Sequence, residues 1–112
     1  MINKVILIGR LANDLELKSV GESKVINVKI AVSRSYKNKD GVVETDFIRC
    51  AMWGNVAERT NEFCKKGDLV GIEGSLEVSS YEVDGKTLKA YEVRVNKISF
   101  LSSKKEVESV EV

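Results

Sequence analysis

The sequence predicts an all-β domain, a small five-stranded Greek-key barrel with one helix between its third and fourth strands. Three observations predict it. Residues 24–36 alternate apolar and polar side chains with a period of two, residues 45–54 form a second strand-like run, and a polar loop ending in Asp40-Gly41 joins them. Residues 55–66 switch to a helical period. Two further strand-like runs, 69–81 and 88–101, flank a second turn at Val83-Asp84-Gly85-Lys86, and no proline interrupts any of them.

Each element has its own warrant. Residues 2–11 are rich in Val, Ile and Leu with weak alternation, which reads as a first strand buried on both faces. Asn13-Asp14 signals a turn, residues 15–19 offer a short strand, and Gly21-Glu22-Ser23 is a loop. In 24–36, Ile26, Val28, Ile30 and Val32 share one face, and Asn27, Lys29, Ala31 and Ser33 share the other. In 45–54, Ile48, Cys50 and Met52 form the core face. Val56, Ala57, Thr60, Phe63 and Cys64 form one helical stripe, with Asn55 as N-cap, Lys65 and Lys66 at the negative end of the dipole, and Gly67 as a left-handed stop. Gly71 and Gly74 mark a bend or bulge in the fourth strand. Residues 1–101 are expected to be the domain and 102–112 a short, disordered acidic tail. Three strands, a helix and a closing pair follow the order of the OB-fold. The pattern alone leaves a generic α+β sandwich open.

Composition narrows the function. The chain has 112 residues, enough for one domain with a modest core. No apolar run approaches the roughly 20 residues that span a bilayer, and the opening residues do not form a signal peptide. A cytoplasmic protein is expected. There is no histidine, which removes His-based nucleophile pairs and His metal ligands. Cys50 and Cys64 match no metal or redox spacing and read as small buried hydrophobes. No catalytic constellation is present, and neither an enzyme activity, a cofactor nor a metal is expected. Net charge is only +1, and the last seven residues hold three Glu and no base, so any electrostatic footprint must come from local placement.

The informative face lies on the third strand. Phe47, Arg49, Ala51 and Trp53 share it, where a water-facing strand would carry Lys, Glu or Thr. Aromatic plates interleaved with cations suit a stacked, anionic single strand of nucleic acid. On spacing alone, Phe47 and Trp53 could equally face a second subunit. Tyr36 and Tyr81 could be ordinary strand-end aromatics, Phe63 and Phe100 read as core, and Tyr91 stays ambiguous. The basic residues could be plain solubilising charge.

The motifs resemble the bacterial single-stranded DNA-binding proteins (SSB). The similar segments are Asn3-Lys4-Val5-Ile6-Leu7-Ile8-Gly9-Arg10-Leu11, Asp14-Leu15-Glu16-Leu17, Thr45-Asp46-Phe47, Met52-Trp53-Gly54-Asn55-Val56-Ala57-Glu58, Lys65-Lys66-Gly67 and Ile72-Glu73-Gly74-Ser75-Leu76. They run in order from about residue 2 to 101. The resemblance implies an OB barrel that coats single-stranded DNA, in replication, recombination, repair or DNA uptake and transfer, and a nucleoid-associated location. It implies base stacking at Tyr36, Phe47, Trp53 and Tyr81. It marks Lys4 as a backbone-contact position. Arg49 joins it as a phosphate candidate, followed by Arg10, Lys18, Arg34, Lys37, Lys39, Lys65 and Lys66. It also implies a homotetramer, a dimer of dimers, with the apolar first strand as a pairing edge.

Three departures stand out. The strand before Tyr81, usually basic in the family, reads Glu77-Val78-Ser79-Ser80 here. The family's long linker and acidic Pro-Phe tip, which recruit replication and repair enzymes, have no counterpart, so a short form with doubtful recruitment is expected. Leu15 replaces a usual Pro. Two competing readings remain: an OB-fold protein-interaction or primosome adaptor, and an RNA binder.

Overall fold

The computed structural model describes residues 1–102 and the backbone of 108–111. The elements are β1 (Val5–Leu11), β2 (Lys18–Val20), β3 (Ser23–Lys37), β4 (Val43–Trp53), α1 (Gly54–Phe63), β5 (Leu69–Val83), β6 (Lys86–Phe100) and β7 (Glu108–Glu111). Five of them close a barrel. β1 pairs with β3 and β5, β3 with β4, β4 with β6, and β6 with β5. All of these contacts are antiparallel except β4–β6, which is parallel and only two residue pairs long. The expected barrel is therefore present, with the helix between the third and fourth of the five barrel strands. No helix among the described residues is long and apolar enough to cross a membrane.

The strand periodicity places the core. Ile26, Val28 and Ile30 of β3, Cys50 and Met52 of β4, Val70 and Ile72 of β5, and Val93, Val95 and Ile98 of β6 are buried together. Val56, Ala57 and Thr60 of α1 are buried, as the stripe predicts. Gly54, at φ 58°, turns the chain from β4 directly into α1. Burial pushes the Cys50 thiol up to about 12, so it stays protonated at neutral pH, in keeping with a structural role.

The two long hairpins are closed by their turn residues. Asn38 accepts the N–H groups of Asp40 and Val42 on its Oδ1 at 2.9 and 3.0 Å, and Gly41 adopts φ 76°. Asp84 and Gly85 both have positive φ, 51° and 76°, which a two-residue hairpin turn requires. Both hairpins run on past the barrel, so their tips are solvated on both faces.

Several expectations are corrected. β1 is not buried on both faces: Val5, Leu7, Gly9 and Leu11 turn inward, while Ile6 and Ile8 are exposed because nothing among the described residues covers that side. The short second strand sits at Lys18–Val20, a little beyond 15–19; Leu15 and Leu17 instead pack against the core. The helix ends at Phe63, before the lysines, because Cys64 is already extended (φ −122°, ψ 159°). Trp53 occupies the N-cap position, with no side-chain cap. The Lys65–Asp68 turn is held instead by the Asp68 carboxylate accepting the Lys65 N–H and by Leu11 O accepting the Gly67 N–H. Phe63 is half exposed, lying 5.9 Å from the buried Phe100 with Arg59 over its ring at 4.5 Å. Cys64 is only half buried. The expected tail is divided. Residues 108–111 pair with Lys97–Phe100 as β7, on the β6 edge that β4 leaves open, whereas 103–107 and 112 lie outside the described residues.

Closure depends on close backbone approach. A Cβ on Gly9 would fall 2.3 Å from Ala31 O and 2.7 Å from Ile30 Cγ2, at the β1–β3 junction. A Cβ on Gly74, at the β5 bulge, would fall 2.1 Å from Arg94 O. Gly71 has no atom nearer than 3.6 Å. Gly9→Ala is therefore expected to cost about 1–3 kcal/mol, as overpacking does, while Gly71→Ala stays near the parent. Thermal unfolding of the three proteins at one concentration checks this, and equal melting temperatures would contradict it.

Candidate nucleic-acid interface

The outer face of the β3–β4 ladder is organised by its register. Directly paired residues point to the same side of a sheet, so the pairings define rows across the strands. Phe47 pairs with Ala31, and Ala31 with Arg10 of β1. Arg49 pairs with Lys29. Ala51 pairs with Asn27 on one side and Arg94 on the other. Trp53 pairs with Val25, and Val25 with Lys18 of β2. One face thus carries an aromatic, a pair of cations, the Ala51 row with Arg94, and a second aromatic in succession. Phe47 and Trp53 stand six residues apart, about 20 Å along an extended strand.

The aromatics differ in setting. Phe47 is 62% exposed, opposite the small Ala31, so its ring stands open to solvent. Trp53 is half buried, with the Arg94 guanidinium 5.4 Å from its ring centroid. A cation over an indole face is favourable by about 0.5–1 kcal/mol at exposed sites, and it holds the ring in place. Ala51 lies on the same face but is buried, beside Arg94 in register.

The middle row is electrostatically incomplete. Lys29 and Arg49 are like charges directly opposite one another, an arrangement that destabilises a ladder. Neither makes an ion pair among the described residues. The Lys29 backbone is held, its N–H donating to Asn13 Oδ1 at 2.8 Å. Two cations that make no ion pair among the described residues, between two aromatic plates, can take an anion.

The other sequence candidates are placed differently. Arg34 is engaged: its Nε and Nη2 donate to Asp46 at 3.0 and 2.9 Å, and its Nη1 donates to Glu44 at 2.7 Å. The hydrogen bonds from Arg34 lower the Asp46 carboxyl pKa and raise that of Arg34 still further. Lys4 is engaged with Glu73 at 3.1 Å, beside Lys97, away from the aromatic rows. Arg10 belongs to the Phe47 row but donates to Gly67 O at 3.1 Å. Lys18 belongs to the Trp53 row. Lys65 and Lys66 sit in the α1–β5 turn, outside these rows. Lys37 and Lys39 lie at the β3–β4 tip, next to the exposed Tyr36, while Tyr81 is exposed near the β5–β6 tip. Tyr81 has the same strand parity as Glu77, and Glu77 pairs with Glu92, so that face of the hairpin carries two opposed carboxylates.

Lys29, Arg94 and Glu92 are the members of this surface that sequence reasoning missed. Lys29 was legible as outward-facing, but not as the partner of Arg49. Counting from the turn-closing pair Lys37↔Val43 would set Arg49 opposite Ala31. The irregularity between Ser33 and Lys37 shifts the pairing by two residues. Arg94 and Glu92 enter through the parallel β4–β6 seam, a long-range contact with no local signal. Among the described residues no group of three or more His, Cys, Asp or Glu could hold a metal ion.

Comparison with known proteins places the chain. The profile of the Single-strand binding protein family matches residues 2–101. The chain is 39% identical to single-stranded DNA-binding protein B of Bacillus subtilis (strain 168) over 107 residues, covering 93% of this chain and 94% of that protein. It is 42% identical over 110 residues to the single-stranded DNA-binding protein of Lactiplantibacillus plantarum, covering 96% of this chain but 55% of that one. A crystal structure of a small single-stranded DNA-binding protein from Streptomyces coelicolor superposes with a TM-score of 0.73 at 17% identity, covering 89% of this chain and 95% of that one, which supports the shared fold. With a family match across nearly the whole barrel, the chain belongs to the single-strand binding protein family.

Proposed function

We propose that this chain binds single-stranded DNA with little regard to sequence and protects it by coating. The observation that carries the reading is the Lys29–Arg49 pair between Phe47 and Trp53, two facing cations with no ion pair among the described residues. The relatives, named for single-stranded DNA binding, support it. Bases stack on Phe47 and Trp53, and on Tyr36 and Tyr81 toward the hairpin tips. Lys29 and Arg49 hold the intervening phosphates, with Lys18 and Arg10 flanking them. Lys37 and Lys39 extend the cationic path at the β3–β4 tip. The function is passive: stacked, neutralised DNA cannot fold back or reanneal. It serves replication, recombination, repair or DNA transfer in the cytoplasm, at the nucleoid.

Trp53 is the only tryptophan, so it reports directly. Titration with oligo-dT is expected to quench its fluorescence, less so as salt rises. Phe47→Ala leaves that probe in place and is expected to weaken binding by about 1–3 kcal/mol, the worth of one stacked base. Absence of both quenching and a gel shift would turn the aromatic face into a protein interface and favour an adaptor. Equal competition by matched RNA would remove the preference for DNA.

The acidic Glu77 beside this path limits phosphate neutralisation, so binding is expected to be weaker, and its salt dependence shallower, than is usual in the family. Replacing Glu77 and Ser79 together by Arg should steepen the slope of log K against log salt by about 1.4, two added contacts on a single strand. An unchanged slope would sink this point.

The assembly proposed is a homotetramer, a dimer of dimers. β1 pairs with β3 only at Arg10 and Leu11, so one edge of its first half is unpaired, with Ile6 and Ile8 exposed beside it. Light scattering at micromolar concentration should report four copies, and a monomer there would contradict the proposal.

A further inference from the structure

A recess of about 360 Å³ opens on the outer face, walled by Asn13, Asn27, Lys29, Arg49 and Glu92. Its position follows from the short β4–β6 seam. The strands pair at Cys50↔Val93 and Ala51↔Arg94 and then part. One step further back, Arg49 and Glu92 occupy corresponding positions on opposite sides of the opening. They carry opposite charges, yet no ion pair closes between them among the described residues. Glu92 is half buried and makes no hydrogen bond or ion pair there either. The Asn13 amide is already committed, accepting from the Lys29 N–H and donating to Asp14 O. The recess therefore has two cations on one side and an unpartnered carboxylate on the other.

A phosphate alone fits only the cationic side. Glu92 repels it, and Glu77, paired directly with Glu92, adds to that repulsion. A nucleotide fits both sides, because its phosphate suits Lys29 and Arg49 and its base edge can reach toward a carboxylate. An ionised carboxylate only accepts hydrogen bonds. It suits the exocyclic amino group that cytosine, adenine and guanine each carry, and it repels the carbonyl that thymine presents where cytosine has its amino group.

We propose that this recess receives the amino-bearing edge of a base, which excludes thymine alone, with Glu92 as the acceptor, so that the chain carries a base preference within its binding path. The inference rests on the single-strand reading above and deepens it. Two pyrimidine homopolymers separate it from stacking strength. Short labelled oligo-dC and oligo-dT of one length are titrated by anisotropy at mildly alkaline pH, against the parent and against Glu92→Gln. Glutamine keeps the shape, removes the charge, and can serve either base. The ratio of the dT to the dC dissociation constant is expected to fall about tenfold in Glu92→Gln, the size of one hydrogen bond to a charged group, with most of the change in dT. Equal tightening for both oligomers would make Glu92 a plain repulsive charge and overturn the inference. So would no change in either. Failure of the parent to bind both oligomers at low salt would overturn the single-strand reading itself, and this inference with it.

Discussion

Everything on the outer face depends on how the barrel closes. The ring of strands is completed at two narrow places: the β1–β3 contact at Arg10 and Leu11, and the two-pair parallel seam between β4 and β6. The first requires Gly9, since any side chain there would meet Ala31 O. Closure buries the inward faces of β3, β4, β5 and β6 against α1, and by the alternation of strands it presents their other faces outward. Arg10 joins the Phe47 row, and Arg94 reaches Trp53, only because these two junctions form.

Charge is distributed by the same geometry. Arg34 and Lys4 have acidic partners within salt-bridge distance, so their charge is largely spent inside the protein. Lys29 and Arg49 are left facing one another instead. A net charge of +1 hides this contrast, because it sums spent and unspent charges alike. In this chain the local pairing, rather than the total, marks the surface proposed to take an anion.

Most of the fold was legible because its signals are local. Period-two alternation, a single switch to a helical period and two Gly-containing turns specify the five barrel strands and the helix in order. The grouping of Phe47, Arg49 and Trp53 on one outward face was legible for the same reason. What escaped was set by long-range contact. The irregularity near Tyr36 changed which residue faces Arg49. The Asp46 and Glu44 carboxylates claimed Arg34 across the hairpin. Ile6 and Ile8 look like core in composition, and only the topology shows that nothing among the described residues lies over them. The helix stopped early because the Asp68 carboxylate and Leu11 O capture the following turn.

The brevity of the β4–β6 seam has a mechanical consequence. The two hairpins are long levers joined directly at a seam of two residue pairs and bridged otherwise in the sheet only through β1, while each is stiffened internally by its own ladder. Bending is cheapest at such a joint, and displacement grows with distance from it, so Tyr36 and Tyr81 travel furthest for a given thermal kick. On the proposed path, a strand stacked on these tips would peel from either one first while the barrel keeps its shape. Stepwise release of this kind lets a competing strand or an advancing enzyme displace the protein gradually, without the whole grip having to fail at once.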